Sequence, residues 1–279
     1  MPLTRAALAG TAASAAAAAA VLLRHEQVTR QATERFAAAA LETLLNAIDA
    51  NDAQTGAHVR RVATYALILA DAADLSEREC KSIERVALFH DIGKIHEALF
   101  DIIHDDEKLS SADRRAIATH PTRGAKVLSP LLGFYPDLPD GVLSHHERWD
   151  GTGYPRGLKG RRIPLSARLV AIVDTFDAIT HRRRYRDGRS SEVARRIILE
   201  SRGKQFDPEL VDLFDFPPVF ARIAAAERRV ERWRRPIQQR RAGGEDDSEN
   251  VPDITFRWRP GRTGGRGLPP SDQSRRTAR

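Results

Sequence analysis

Histidine and aspartate carry the chemistry available to this sequence. His58, the adjacent pair His90-Asp91 in HDIGK, His120, the adjacent pair His145-His146 and Asp174 are spread along the chain. Apolar runs precede the pairs, Val86 to Phe89 before His90 and Val142-Leu143 before His145. A charge placed there without a partner is expensive, and a metal ion removes that cost by neutralising carboxylates and occupying imidazole nitrogens. One such histidine alone reads as structural; the set does not. Imidazole and carboxylate without thiolate suit iron, manganese, nickel or cobalt at least as well as zinc. Seven ligands exceed the needs of one open catalytic ion. Two ions ~3.5–4 Å apart, bridged by a carboxylate and a hydroxide, would use them and would clamp phosphate oxygens during in-line attack. Lys94, a turn beyond His90, is placed to offset charge on a phosphate or to protonate a leaving oxygen.

The elements that must position these residues are helices. No segment alternates as a strand should, and no internal repeat is present. Gln27 to Ile48 has helical composition. The next helix, from about Thr55 to Ala73, puts His58, Val62, Tyr65, Ala66 and Leu69 on one face. Ser76 and Glu79 have capping-box spacing and start a helix carrying Ile83, Ala87 and His90. Ser110 to Asp113 repeats that logic in a helix that must stop before Pro121. A Gly- and Pro-rich loop covers Asp150 to Pro164, and Ser166 to Ile179 follows as an apolar helix containing Asp174 and Asp177. Asp207-Pro208 reads as an N-cap with proline at the first helical position, and Phe206 with Val211 as its hydrophobic staple.

Composition bounds the rest. Hydrophobic residues at 41% and aromatics at 6% can build a core but are lean for 279 residues, which points to an unpacked C-terminal stretch beyond about Arg235. The net charge of +7 fits an anionic partner such as a nucleotide, a nucleic acid or a membrane surface, and equally an arginine-rich solvated face. The single cysteine, Cys80, excludes a disulfide framework and a thiolate zinc cluster, and it shares a helix face with Ile83 and Ala87 as a core residue would. Ala6 to Leu23 is uncharged and approaches the ~20 residues needed to span a bilayer. Alanine is also an excellent soluble helix former, so a membrane anchor and a soluble extension both stay open. If the run inserts, the excess of basic residues after it keeps the body of the protein in the cytoplasm.

HDIGK at His90 to Lys94 and HHERWDGTGYP at His145 to Pro155 resemble the HD-GYP subgroup of the HD-domain phosphohydrolases. The second string matches the subgroup's HHExxDGxGYP signature at every specified position, and the resemblance runs from about Asp52 to Phe214. It implies an all-α HD-domain helical bundle that hydrolyses the bacterial second messenger cyclic di-GMP with iron or manganese. Position by position, it implies that His58, His90, Asp91, His120, His145, His146 and Asp174 are metal ligands, with Asp91 bridging two ions and Lys94 beside the scissile phosphate. Arg183 and Arg186 in RRYR fall where relatives place basic residues against substrate phosphates; an exposed basic turn would look the same. Asp150, Gly151, Gly153, Tyr154 and Pro155 would form a loop near the site, shaped by glycine's freedom at positive φ; a plain turn or a docking surface for a signalling partner is the other reading.

Three positions depart from the subgroup. Gln54 stands where members with a third metal carry glutamate, and a neutral amide is a poor substitute at a cation site. Two metals, and linear pGpG as main product with weaker cleavage onward to GMP, follow from the resemblance. Arg184 replaces a common proline, and His104-Asp105 stands where Lys-Pro is frequent. The expected division is residues 1–24 as an alanine-rich membrane segment or extension, 25–50 as a connecting helix, 51–235 as the phosphohydrolase domain, and 236–279 as a disordered basic tail. The expected location is the cytoplasm, free or tethered to the inner membrane. A homodimer could form through the N-terminal helix, and no specific nucleic-acid partner is expected, since no groove-reading motif is present. The competing functions are hydrolysis of another cyclic dinucleotide or nucleotide, and a catalytically weak sensing or docking module.

Overall fold

The computed structural model describes residues 3–95, 110–181 and 188–242, with side chains from Ala20 to Arg229 apart from residues 51, 96–109, 114 and 182–187. Among the described residues the chain is helical without strands. The helices are α1 (Leu3–Asn51), α2 (Ala53–Ala72), α3 (Glu77–Phe89), α4 (Ser111–Ile117), α5 (His120–Leu128), α6 (Asp137–Ser144), α7 (Leu165–Thr180), α8 (Ser191–Glu200), α9 (Pro208–Asp215) and α10 (Pro217–Ala242). A 3₁₀ turn, Ile92–Ile95, follows α3.

Helix α2 is the central rod, packed against α1, α3, α7 and α10. The face expected from the spacing is the one it buries: Val62, Tyr65, Ala66 and Leu69 are fully enclosed. Tyr65 meets Phe176 of α7 edge-to-face at 5.5 Å, and Phe176 continues to Phe214 of α9 at 5.8 Å. Such pairs add ~0.5–1.5 kcal/mol to the area they bury. Cys80, Ile83 and Ala87 are core residues on one side of α3.

Local signals set the boundaries. Asp52 caps α2 by accepting from Gln54 N and Thr55 N. Ser76 and Glu79 form both halves of the capping box at the start of α3. Asp207 accepts from Glu209 N at the start of α9, with Pro208 next, and Phe206 and Val211 are both buried. Pro121 separates α4 from α5, so His120 opens a new helix.

The structure departs from the sequence reading at both ends. The connecting helix expected over Gln27 to Ile48 is part of one helix from Leu3 to Asn51. Its residues Ala20 to Phe36 are exposed, and it docks only through its last third, where Ala37, Leu41 and Ile48 are buried. Most of the alanine run precedes Ala20, where side chains lie outside the described residues. Among the described residues no helix is long and apolar enough to cross a membrane. Helix α10 continues past Arg235 to Ala242, and the expected tail from residue 243 onward lies outside the described residues.

Candidate metal centre

Five helices bring the candidate ligands together. Helix α2 supplies His58, the end of α3 supplies His90 and Asp91, α5 opens with His120, α6 ends into His145 and His146, and α7 carries Asp174. Close approach makes this geometry reachable. The turn holding Gly93 crosses the start of α5 so tightly that a Cβ on Gly93 would sit 2.1 Å from the carbonyl oxygen of His120 and 2.7 Å from Gly124 N. No other residue fits.

The seven residues form two groups about a shared carboxylate. His58, His90 and Asp174 present ligand atoms within 4.8 Å of one another, and so do His120, His145 and His146. Asp91 lies between them. Its Oδ2 is 3.5 Å from His90 Nε2 and 3.8 Å from His58 Nε2, while its Oδ1 is 3.3 Å from His120 Nε2 and 4.0 Å from His145 Nε2. Asp174 Oδ1 completes the first group, 3.3 Å from His58 Nε2 and 3.8 Å from His90 Nε2. Lys94 Nζ contacts Asp91 Oδ2 at 2.6 Å.

Three imidazoles are oriented by their own helices. Nδ1 of His90, His120 and His145 lies 2.8, 2.7 and 2.6 Å from the carbonyl oxygen three residues earlier, on Ala87, Ile117 and Val142. A carbonyl only accepts, so each Nδ1 carries a proton, which leaves Nε2 as the atom each ring offers to the site. The result is a concentration of acceptors. His120 Nε2 and His145 Nε2 face each other at 3.1 Å, and His90 Nε2 is buried with no hydrogen-bond partner. Converging lone pairs beside buried carboxylates suit divalent cations, and this donor set fits them.

Electrostatics agree. Burial pushes His90, His145 and His146 below the ordinary imidazole value, His146 to about 4, and so keeps them neutral as ligands must be. Burial also opposes ionisation of Asp91, but the Lys94 ammonium beside it leads the opposing effects that hold the carboxyl well below its usual range. His58 is the exception. Burial would lower it, yet its hydrogen bonds to Asp174 and Asp177 raise it to about 9.

The expected loop closes one side of this centre. The Tyr154 ring stacks on His146 with centroids 5.0 Å apart, and burial, with Asp91 and Asp174 nearby, raises its phenol to about 12. Gly151 has φ +87, as positive-φ glycine requires. Gly153 is needed for a different reason: a Cβ there would meet Arg148 N at 2.3 Å and His146 O at 2.6 Å. Asp150 accepts from Thr152 N and Oγ1 and shapes the turn, and exposed Pro155 follows Tyr154. Arg183 and Arg186, with His104-Asp105 and Arg184, lie outside the described residues.

Two contributors carried no role in the sequence reading. Glu147 is buried and accepts from Arg156 N at 2.7 Å and Leu158 N at 2.9 Å, pinning the loop. Asp177, 2% exposed, takes His58 Nδ1 at 2.7 Å and Arg61 through two bonds of 2.6 and 2.8 Å. Glu147 stood inside the signature string, and Asp177 stands one turn beyond Asp174 on α7, the one available signal.

Comparison with known proteins defines the class. The pattern of the HD domain matches residues 42–210, and the chain belongs to that family. Its HDIGK and HHERWDGTGYP strings place it in the HD-GYP subgroup. A 3'3'-cGAMP-specific phosphodiesterase of Vibrio cholerae is 37% identical over 175 residues, covering 61% of this chain and 33% of that protein. A cyclic di-GMP phosphodiesterase response regulator of Xanthomonas campestris is 37% identical over 174 residues, covering 62% of this chain and 46% of that protein. The chain thus spans a third to a half of the length of these relatives. The solved structure of a cyclic GMP-AMP-specific phosphodiesterase of V. cholerae superposes with a TM-score of 0.50 at 23% identity, over 68% of this chain and 52% of that one, a likeness of fold.

Proposed function

We propose that the chain is a metal-dependent phosphodiesterase that opens cyclic di-GMP to linear pGpG, with GMP as a slower product, in bacterial second-messenger signalling. The observation that carries this reading is Asp91, with one oxygen turned to each ligand group and Lys94 at 2.6 Å. His58, His90 and Asp174 would hold one divalent ion and His120, His145 and His146 the other, with Asp91 available to both. Iron or manganese suits this nitrogen and carboxylate set. The pair supplies Lewis acidity that makes water nucleophilic at neutral pH and offsets charge on the phosphate.

The chain's own side chains do the rest. Lys94 Nζ faces the scissile phosphate, balances charge as water adds to phosphorus, and delivers a proton to the leaving O3′ as the P–O bond breaks. Arg183 and Arg186 hold the substrate's phosphates. Tyr154, protonated at physiological pH, walls the centre beside His146. The phosphohydrolase unit is residues 51–235, preceded by an anchor or extension (1–24) and a connecting helix (25–50) and followed by a basic tail. The exposed stretch of α1 from Ala20 to Phe36 supports self-association through that helix in a cytoplasmic protein, free or tethered. The loop from Asp150 to Pro155 is the surface for a signalling partner.

Metal analysis of anaerobically purified protein, combined with identification of products from cyclic di-GMP, tests the proposal. Two ions per chain and pGpG are expected. Manganese- or iron-loaded protein that leaves cyclic di-GMP intact under reducing conditions overturns it. A relative named for 3'3'-cGAMP at 37% identity favours one second reading, a different cyclic dinucleotide as preferred substrate. Side-by-side turnover of both decides.

A further inference from the structure

Four of the five histidines at the centre are fixed through Nδ1, and they are not held alike. His90, His120 and His145 lean on neutral backbone carbonyls, whereas His58 Nδ1 lies 2.7 Å from the carboxylate of Asp177. Asp177 is one helical turn from the candidate ligand Asp174, yet it is committed elsewhere. Arg61 engages both of its oxygens, Nε to Oδ1 at 2.6 Å and Nη2 to Oδ2 at 2.8 Å, and His181 Nδ1 approaches Oδ1 at 3.1 Å. Arg61, Asp177 and His181 are all buried, at 5%, 2% and 6% exposure. The carboxylate is saturated with donors and cannot swing to the centre.

We infer that Asp177 is a positioning residue for the His58 ion alone, and that Arg61 is the clamp that keeps it in that role. An acceptor behind a ligating imidazole fixes the ring and raises its basicity, and loss of such a partner costs about 10–100-fold in metal affinity. The three-histidine group has no contact with Asp177. His120 and His145 are set by main chain and His146 stacks on Tyr154, contacts that a substitution at 177 leaves in place. The two ion positions therefore separate under a single change remote from one of them. This inference rests on the two-ion reading above.

Manganese binding to Asp177→Asn, followed by titration and by electron paramagnetic resonance, is the test. Asparagine keeps the shape and one acceptor while removing the charge. One Mn²⁺ site should weaken about 10–100-fold with the other unchanged. At intermediate loading the spectrum should change from that of a coupled pair to the resolved hyperfine pattern of an isolated ion. Arg61→Gln/Asp177→Asn removes both buried charges together and decides the matter if the single variant fails to fold. Folded protein of either kind that binds two ions with wild-type affinities, or that loses both equally, overturns the inference. If the wild-type chain itself binds fewer than two ions, the failure belongs to the two-ion reading instead.

Discussion

Replacing Gly93 with alanine should damage the centre without touching a ligand. The new methyl would lie 2.1 Å from the carbonyl oxygen of His120, and ordinary contact begins at 3.4 Å, so the turn and the start of α5 must part by about 1.3 Å. Backbone faces backbone here, and no side-chain rotation absorbs the clash. Overpacking of this kind costs ~1–3 kcal/mol, which in a domain of this size lowers the melting temperature by roughly 2–12 °C. The same movement carries His120 away from Asp91, to which it now lies at 3.3 Å. A misplacement of ~1 Å at a reacting centre costs on the order of 10²-fold in rate. Thermal melts of metal-free protein, Mn²⁺ titration and cyclic di-GMP turnover should therefore all worsen, turnover most. A Gly93→Ala protein that melts, binds manganese and turns over as the wild type does would refute the claim that this crossing sets the distance between the two groups.

Other outcomes follow from the same geometry. Asp91→Ala removes the one carboxylate common to both groups, so metal content should fall below two per chain and turnover to background; survival of activity sinks the assignment. The raised value of about 9 for His58 means that its charged form adds stability to the metal-free protein, fully present below its unfolded value near 6.5 and lost as pH rises through about 9. Metal binding at pH 7 should then release close to one proton per chain, falling to none well above pH 9, and calorimetry in buffers of different ionisation enthalpy measures it. Below about pH 4, protonation of His146 should compete for the second ion. Asp207→Ala deletes a cap and strands Arg168, whose Nη1 lies 2.6 Å from Asp207 in a mostly buried pair. Urea unfolding should show a loss of about 2–4 kcal/mol, and a loss below ~0.5 kcal/mol would contradict that account.

The helices were legible because their signals are local, and the His/Asp set that the structure brings together was marked by residue type and motif strings. Capping residues at Ser76 and Asp207 act within three residues, and the face of α2 follows from its periodicity. Asp177 was not legible as a partner of His58, because that contact spans 119 residues and depends on how α7 docks on α2. Gly93 reads as one letter of HDIGK, and only the crossing of α5 reveals why it lacks a side chain. The continuity of the connecting helix with the alanine run was not legible for a related reason: nothing between Leu23 and Gln27 stops a helix, and a change of composition is not a break.

The hydrogen bonds from His90, His120 and His145 to the carbonyls of Ala87, Ile117 and Val142 also decide when entropy is lost. Immobilising a side chain costs ~0.5–1.5 kcal/mol, and here three rings lose their freedom as the helices form, before any ion arrives. Folding bears that cost. An incoming cation meets rings already turned toward it, and the free energy of coordination is kept for affinity.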